Sequence, residues 1–276
     1  MTAGLRIAAF ESRMAEEMTR LIRRHGGDPY VVPALREIPL QDNHPIFTFA
    51  SRLLGGQLDM VIFLTGVGVR YLMEVVQTRH NAEVIKRALA GIPLVARGPK
   101  PIAALKELGL TAAVSVPEPN TWRDLLHELD KIRTLQGLRI AVQEYGASNK
   151  DLLSGLRERG ADVMKVPVYR WGLPEDPAPL RALLEKICQG HIDALLITNA
   201  AQVENVMTLL DQGGLTEAFR RALKRMIVGS IGPTASERLH HHDLPVDMEP
   251  SHPKMGRLVK EVSERAHSLL SMKRRT

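Results

Sequence analysis

The segment Leu5-Arg6-Ile7-Ala8 lies near the start of the chain and returns unchanged as Leu138-Arg139-Ile140-Ala141, at an offset of 133 residues. Further matches follow at an offset of 134: Gly26-Gly27-Asp28 with Gly160-Ala161-Asp162, Val32-Pro33 with Val166-Pro167, Leu58–Ile62 with Ile192–Leu196, Gly98-Pro99 with Gly232-Pro233, and Gly109-Leu110 with Asp243-Leu244. An offset that holds along the whole unit predicts a duplicated domain. A solenoid would repeat every 20–50 residues or so.

Each copy alternates short apolar runs with amphipathic stretches. The apolar runs predict strands at Arg6–Phe10, Asp59–Leu64, Ile92–Ala96, Ala112–Val116, Arg139–Gln143, Val163–Val168, Ala194–Thr198 and Met226–Ile231. The amphipathic stretches predict helices from Ser12, as N-cap, to Gly26-Gly27, then at Val69–Val76 after a Gly66/Gly68 turn, Pro101–Leu108, Thr121–Leu135 and Lys254–Leu270. We therefore expect an α/β fold with two similar domains, each a parallel sheet flanked by helices.

Composition and charge limit the possible partners and location. The 276 residues carry a formal net charge of +6 and a sequence pI near 9.6, which favours anionic partners, although a merely basic surface would give the same numbers. Only 4% of residues are aromatic and no zinc or RNP motif occurs, so no nucleic acid partner is expected. Cys188 is the one cysteine, and neither an export signal nor a membrane-length apolar run is found. These observations predict a cytoplasmic protein without a membrane partner.

The candidate site consists of turns that follow the predicted strands. Parallel sheets bind ligands beyond the carboxyl ends of their strands, where helix N-termini present free backbone amides. Amides and hydroxyls at such turns suit carboxylates or phosphates, and ordinary helix capping explains any one turn equally well. The turns are Glu11-Ser12-Arg13, Thr65-Gly66-Val67-Gly68, Arg97-Gly98-Pro99-Lys100, Tyr145-Gly146-Ala147-Ser148, Thr198-Asn199-Ala200-Ala201 and Ser230-Ile231-Gly232-Pro233-Thr234.

Several familiar chemistries do not fit this sequence. Gly66-x-Gly68 lacks the third glycine of a dinucleotide fingerprint, where Tyr71 stands, and no P-loop spacing occurs. His240–His242 are consecutive on a predicted helix end, so their side chains diverge by about 100° per residue and do not converge on one metal ion. No serine lies in a nucleophile elbow, and Cys188 has no neighbouring histidine. We expect no cofactor and no metal.

The turns, in this order, resemble the uroporphyrinogen-III synthase family over essentially the whole chain. The most similar segments are Gly26-Gly27-Asp28-Pro29, Phe63–Arg70, Arg97-Gly98-Pro99-Lys100, Ala104–Gly109, Val166–Arg170 and Ile231–Ala235. The resemblance implies two domains joined by a two-stranded linker near Ala34–Pro39 and Val168–Gly172. The domains would then be residues 1–37 plus 172–276, and 38–171.

The resemblance also implies an activity. The family is a cofactor-independent lyase of porphyrin, tetrapyrrole and heme biosynthesis. It cyclises the linear polycarboxylate hydroxymethylbilane in an interdomain cleft, with loss of water and inversion of ring D. Tyr169 matches the tyrosine that the family places in the cleft, so we expect it to be catalytic. Substrate-binding residues would be Ser12, Arg13, Thr65, Gly66, Val67, Gly68, Arg70, Arg97, Gly98, Lys100, Tyr145, Gly146, Ser148, Thr198, Asn199, Ala200, Gly232 and Thr234. We expect a monomer.

Two departures from the family's pattern keep an alternative open. A hydroxyl commonly stands three residues after the glycine of each Gly-Pro turn, but here those positions are Pro101 and Ala235. The turns are also similar to those of synthase-like domains fused to DNA-binding regulators. The alternative is therefore a non-catalytic synthase-like domain that senses a tetrapyrrole or another anionic ligand. A two-domain solute-binding protein is a third reading, for which the export signal is missing.

Overall fold

The computed structural model describes residues 4–40, 42–132, 134–146 and 148–275, and the predicted turn residue Ala147 lies outside this part. The strands are β1 (Leu5–Ala9), β2 (Gly27–Val31), β3 (Arg36–Pro39), β4 (Met60–Phe63), β5 (Leu94–Ala96), β6 (Val114–Ser115), β7 (Arg139–Glu144), β8 (Asp162–Pro167), β9 (Tyr169–Gly172), β10 (Ala194–Ile197) and β11 (Ile227–Ser230). The helices are α1 (Ala15–Arg24), α2 (His44–Leu54), α3 (Gly66–Gln77), α4 (Ala82–Ala90), α5 (Pro99–Glu107), α6 (Trp122–Ile132), α7 (Lys150–Glu158), α8 (Ala178–Cys188), α9 (Ala200–Gly213), α10 (Thr216–Leu223), α11 (Pro233–His241) and α12 (Met255–Arg275).

The chain divides into two compact units. Unit 1 is Met1–Arg36 with Gly172–Thr276, and unit 2 is Glu37–Trp171. The chain passes from one unit to the other within β3 and within β9, which pair in a two-stranded sheet. The two stretches predicted as a linker contain these strands.

Each unit has one parallel sheet, which confirms the predicted fold class. The strand order is β11-β10-β1-β2 in unit 1 and β6-β5-β4-β7-β8 in unit 2. A parallel bridge between Gly229 and Met248 occupies the place in unit 1 that β6 has in unit 2. Both faces of each sheet are covered by helices, because the apolar strands bury side chains in both directions.

A repeated ion pair ties the amino-terminal ends of the central strands. Arg6 donates from its backbone N–H and its guanidinium to the Asp193 carboxylate at 2.9–3.0 Å. Arg139 makes the same three bonds to Asp59 at 2.8–2.9 Å. Burial alone would raise the pKa of Asp193, but the hydrogen bonds from Arg6 and from Arg274 outweigh it and lower the pKa to about 2. The duplication therefore preserves this contact as well as the strands.

Two local predictions were wrong. Ser12 is not the N-cap of α1, because the helix begins at Ala15 after Met14 and the Ser12 hydroxyl donates instead to the Leu35 carbonyl at 2.7 Å. Gly66 and Gly68 do not form a turn but lie in the first turn of α3, which starts three residues earlier than predicted. Among the described residues, no helix is long and apolar enough to cross a membrane.

Candidate functional site

In unit 2, Thr65 links the end of β4 to the start of α3. Its hydroxyl accepts a hydrogen bond from Gly68 N at 3.0 Å and lies 3.5 Å from the Tyr169 hydroxyl, while its backbone N–H donates to Gln143 Oε1 at 3.3 Å. The cap leaves the backbone amides of Gly66 and Val67 without a partner in the described part of the chain. The predicted Thr65–Gly68 turn therefore presents amides at a helix N-terminus, where the helix dipole favours negative charge.

The two glycines of α3 are there because neighbouring groups approach closely. A Cβ at Gly66 would lie 2.5 Å from the Lys100 carbonyl oxygen, and one at Gly68 would lie 2.2 Å from Gln143 Nε2. Gln143 is fully buried, and its Nε2 donates to the Glu144 carbonyl at 2.9 Å. These contacts hold the N-terminus of α3 against the end of β7 and the start of α5.

An aromatic cluster lies beside this turn. The Tyr169 ring is 5.3 Å from the Trp171 ring, edge to face, and 6.2 Å from the Tyr145 ring. Gly146 adopts a left-handed φ of 61° and donates its N–H to the Tyr169 carbonyl at 3.0 Å. Tyr169 is only 3% exposed. The predicted catalytic tyrosine is thus a packed residue, and its hydroxyl lies within hydrogen-bond distance of the hydroxyl of Thr65, the N-cap of α3.

The turn after β5 carries two of the cations of the predicted site, Arg97 and Lys100. The Arg97 guanidinium stands 5.4 Å from the centre of the Tyr145 ring, in a cation–π arrangement. Gly98 is the N-cap of α5, and a Cβ there would lie 2.7 Å from the Asn120 side chain. Lys100 is exposed in the first turn of α5, and no partner for its backbone amide occurs among the described residues. Arg97 and Lys100 therefore remain available to carboxylates.

In unit 2, internal carboxylates engage two of the predicted site residues, Arg70 and Ser148. Arg70 binds Glu107 on α5 through two hydrogen bonds of 2.6 and 2.8 Å, which raise the pKa of Arg70 and lower that of Glu107. The Ser148 hydroxyl donates to both oxygens of the Glu144 carboxylate, at 2.7 and 2.9 Å.

In unit 1 the corresponding turn follows β10. Asn199 caps α9, accepting from Ala201 N at 2.8 Å, and Gln202 completes a capping box. The Thr198 hydroxyl donates to Glu11 Oε2 at 2.6 Å and accepts from Gln202 Nε2 at 2.9 Å. Ala200, the first residue of α9, presents a backbone amide for which the described residues supply no partner. The carboxyl edge of unit 1 is thus fixed by a network that reaches from α9 to the end of β1.

The remaining predicted residues lie on the same edge of unit 1. Gly232 caps α11 with an extended φ of 164°, and Thr234 is exposed in its first turn with a backbone amide that no described residue binds. Ser12 and Arg13 follow β1, and Arg13 is exposed. Ala235, where the family's pattern has a hydroxyl, is buried in the apolar core, and Pro101 is buried at the equivalent place in unit 2.

Two polar residues of these edges, Gln143 and Gln202, escaped the sequence analysis, which named Glu11 only as part of a turn and not as a contact residue. Gln143 and Gln202 are at most 2% exposed and hold Thr65 and Thr198. One signal was present in the sequence, because Glu11 and Glu144 occupy equivalent positions of the repeat, 133 residues apart.

The groups considered for other chemistry are engaged elsewhere. His242 follows α11 as its C-cap and contacts Glu204 at 3.1 Å, and its ring packs against that of His241. Cys188 ends α8 against the apolar core of unit 1, where burial raises the pKa of its thiol. No group of three or more His, Cys, Asp or Glu side chains that could hold a metal ion occurs in the described ranges.

The fold and these edges define a duplicated α/β protein in which the sheet of each unit is parallel and capped helix N-termini stand at the strand ends. This arrangement is typical of proteins that bind anionic small molecules. A sequence model of the family described as "Uroporphyrinogen-III synthase HemD" matches residues 16–260. The chain therefore belongs to the uroporphyrinogen-III synthase family, whose enzymes serve tetrapyrrole and heme biosynthesis.

Individual proteins are similar to this chain over most of its length. A crystal structure of a mutant uroporphyrinogen III synthase from Thermus thermophilus is 27% identical, covers 96% of this chain and 99% of its own, and has a TM-score of 0.71. A protein of Methanothermobacter thermautotrophicus named "Putative uroporphyrinogen-III synthase" is 28% identical over 83% of this chain and 85% of its own length. The "Uncharacterized protein YjjA" of Bacillus subtilis is 26% identical over 95% of this chain and 96% of its own length.

Proposed function

We propose that this protein is a uroporphyrinogen-III synthase that closes hydroxymethylbilane into a macrocycle, with loss of water and inversion of ring D. The observation that carries the proposal is the family match over residues 16–260. We propose further that the reaction needs no cofactor and that the protein acts as a cytoplasmic monomer.

The chemistry asks mainly for orientation. Loss of water from the hydroxymethyl group leaves an azafulvene, and attack on it by the substituted carbon of ring D gives a spiro intermediate that fragments and recloses. The linear substrate also closes without an enzyme, but ring D is then not inverted. The protein must therefore hold one folded conformation of the substrate, a demand that positioning groups can meet.

Backbone amides and cations at the strand ends are the groups that we propose to hold the substrate carboxylates. Gly66, Val67, Lys100, Ala200 and Thr234 carry amides without a partner among the described residues, each in the first turn of a helix. Arg97 and Lys100 add positive charge, and Thr65 and Asn199 add polar side chains, whereas the Thr198 hydroxyl is already bound to Glu11. The remaining residues that we propose to contact the substrate are Ser12, Arg13, Gly68, Arg70, Gly98, Tyr145, Gly146, Ser148 and Gly232. Binding by Arg70 or Ser148 would replace their bonds to Glu107 and Glu144.

Tyr169 is our proposed donor to the departing hydroxyl group. Its hydroxyl lies 3.5 Å from Thr65 Oγ1, and this threonine oxygen already accepts from Gly68 N. The packing of Tyr145 and Trp171 against its ring fixes the direction of the phenol. A positioned phenol that gives a proton to a leaving group contributes about 100-fold or more to the rate.

The test is the isomer composition of the product. Hydroxymethylbilane is supplied, the porphyrinogens are oxidised, and type I and type III isomers are separated chromatographically. Type III product above the enzyme-free control is expected, whereas type I alone would refute the synthase. Tyr169→Phe should lower kcat about 100-fold, while Tyr71→Phe, a control on the half-buried tyrosine of α3, should leave it within about threefold.

A specific observation favours a second function, a synthase-like domain that senses a tetrapyrrole or another anion without catalysis. The positions that carry hydroxyls in the family's pattern are here the buried residues Pro101 and Ala235. Such a domain would bind uroporphyrinogen, measured by fluorescence quenching or calorimetry, and would leave the isomer ratio at its enzyme-free value. Turnover to type III product would contradict this function.

A further inference from the structure

Two glutamates stand at equivalent places in the repeat. Glu144 is the last residue of β7, and Glu11 lies two residues beyond β1, at an offset of 133. Each carboxylate accepts a hydrogen bond from a hydroxyl, but the hydroxyls come from unrelated positions. Ser148 follows Glu144 by four residues, whereas Thr198 is 187 residues from Glu11. The duplicated units thus share a carboxylate bound to a hydroxyl at the carboxyl edge, although the chain provides the hydroxyl differently.

The hydrogen bonds around Glu11 have only one consistent direction. Gln202 Oε1 accepts from the backbone N–H groups of Thr198 and Asn199, at 3.0 and 3.2 Å. The amide nitrogen of Gln202 must therefore donate to the Thr198 hydroxyl, at 2.9 Å. The hydroxyl hydrogen of Thr198 is then left for Glu11 Oε2, at 2.6 Å. The buried glutamine thus fixes Glu11 Oε2 as an acceptor.

The two glutamates differ in how far their side chains are buried. Glu144 is 5% exposed, and the Ser148 hydroxyl donates to both of its oxygens, so its carboxylate is already occupied within unit 2. Glu11 is partly exposed, and besides Thr198 it accepts only a long 3.4 Å bond from Met14 N in the described part of the chain. Of the two repeated carboxylates, Glu11 is the one that can touch a bound molecule.

A carboxylate has a definite task in the proposed reaction. The substrate carboxylates would repel it, so the part of the substrate that it can face is a pyrrole, whose N–H is a donor. When the carbon–oxygen bond breaks, oxygen keeps the electron pair, takes a proton and leaves as water. The pyrrole nitrogen supplies electrons to the methylene carbon, and the ring becomes positively charged. A fixed negative charge beside that ring stabilises the cation and the transition state that leads to it.

We propose that Glu11 is a catalytic residue that accepts pyrrole N–H hydrogen bonds and stabilises the cationic azafulvene, a role that rests on the proposed synthase function. Thr198 and Gln202 are positioning residues that orient the carboxylate. Glu11 forms no covalent bond. When ring D attacks, its electrons form the new carbon–carbon bond, so the first ring becomes neutral and the positive charge passes to ring D. That charge is cancelled when the rearranged ring D finally loses a proton to solvent.

The experiment compares matched glutamine substitutions in the full-length protein. Glu11→Gln keeps the size of the side chain and an acceptor oxygen but removes the charge. We expect kcat to fall about 100-fold to 1,000-fold with KM within about threefold, since the charge acts on the transition state and not on the bound substrate. Glu144→Gln, the same change at the equivalent buried position, should leave kcat within about threefold. Glu11→Asp should recover part of the loss.

The outcomes separate the two proposals. If the wild-type protein makes type III product and Glu11→Gln keeps its kcat, the role of Glu11 is refuted and the synthase stands. If the wild-type protein makes none, both fall together. An equal loss in Glu11→Gln and Glu144→Gln, or a loss confined to KM, would assign Glu11 to folding or to substrate binding. Circular dichroism checks folding. Should Glu11→Gln not fold, a kcat loss of about tenfold in Glu11→Asp at unchanged KM is required instead.

Discussion

Substitution of Gly68 by alanine tests how closely α3 approaches the end of β7. The added Cβ would lie 2.2–2.5 Å from three atoms of the Gln143 amide, far inside van der Waals contact. Gln143 is fully buried and cannot swing into solvent, so it must give up its bonds to the Thr65 N–H and the Glu144 carbonyl. Overpacking costs about 1–3 kcal/mol, and each buried polar group left unpaired costs about 1–3 kcal/mol.

These costs outweigh the gain of alanine in a helix. That gain is about 1 kcal/mol, so Gly68→Ala should lower the free energy of unfolding by about 2–4 kcal/mol. Each kcal/mol lowers the Tm of a chain of this size by about 2–4 °C. The assay is urea and thermal unfolding followed by circular dichroism.

Two further variants make the test specific. Gly213→Ala is the control, because this glycine ends α9 and its added Cβ would meet nothing closer than 3.8 Å. It should be neutral or stabilising by up to about 1 kcal/mol. In a Gln143→Ala background the cost of Gly68→Ala should fall below about 1 kcal/mol, since the clashing amide is gone. A Gly68→Ala protein as stable as the wild type would refute the reasoning, and so would an undiminished cost in that background.

Further predictions concern charge and backbone. The pKa of Asp193 lies at about 2, below its ordinary 3.8. The ionised carboxylate therefore contributes about 2 kcal/mol of stability, which is complete above about pH 4 and is lost as the pH falls through about 2. Lowering the pH from about 4 to about 2 should reduce the free energy of unfolding of the wild type by more than that of Asp193→Asn. Arg70→Ala should change the unfolding free energy by less than about 1 kcal/mol, because Arg70 and Glu107 are each more than half exposed, and a loss of about 3 kcal/mol or more in a urea titration would contradict this. Gly146→Ala should cost at least about 2 kcal/mol in the same titration, because φ is 61° and the Cβ would lie 2.3 Å from Trp171, and an unchanged midpoint would contradict that packing.

The sequence predicted the architecture from two physical signals. Apolar runs such as Met60–Phe63 bury side chains on both faces and are typical of central strands in parallel sheets, and the structure confirms this. The internal repeat pointed to a second sheet of the same kind, and β10 and β11 repeat β4 and β5. The apolar runs are local features of the chain, and the two copies of the repeat share similar residues, so both signals can be recognised from the sequence alone.

The networks at the strand ends could not be predicted, because they join residues that are distant in the chain. Thr198 meets Glu11 across 187 residues, and Thr65 meets Gln143 across 78. Gly68 looked like a turn residue because glycine favours turns, whereas its real constraint is the amide that packs on it. Ser12 matched the pattern of an N-cap, but its hydroxyl donates a hydrogen bond to the Leu35 carbonyl instead. Folding brings the segment that contains Leu35 close to Ser12.

The most direct measurement of the proposed activity follows one bond of the substrate. Hydroxymethylbilane would carry carbon-13 at the substituted carbon of ring D and at the bridging carbon bonded to it, and the macrocycle would be analysed by carbon-13 NMR. Ring inversion breaks this bond, so the protein should give a product without one-bond coupling between the labels. Retention of the coupling at the level of the enzyme-free reaction would show that ring D is not inverted, and would contradict the proposal that this family member is a working synthase.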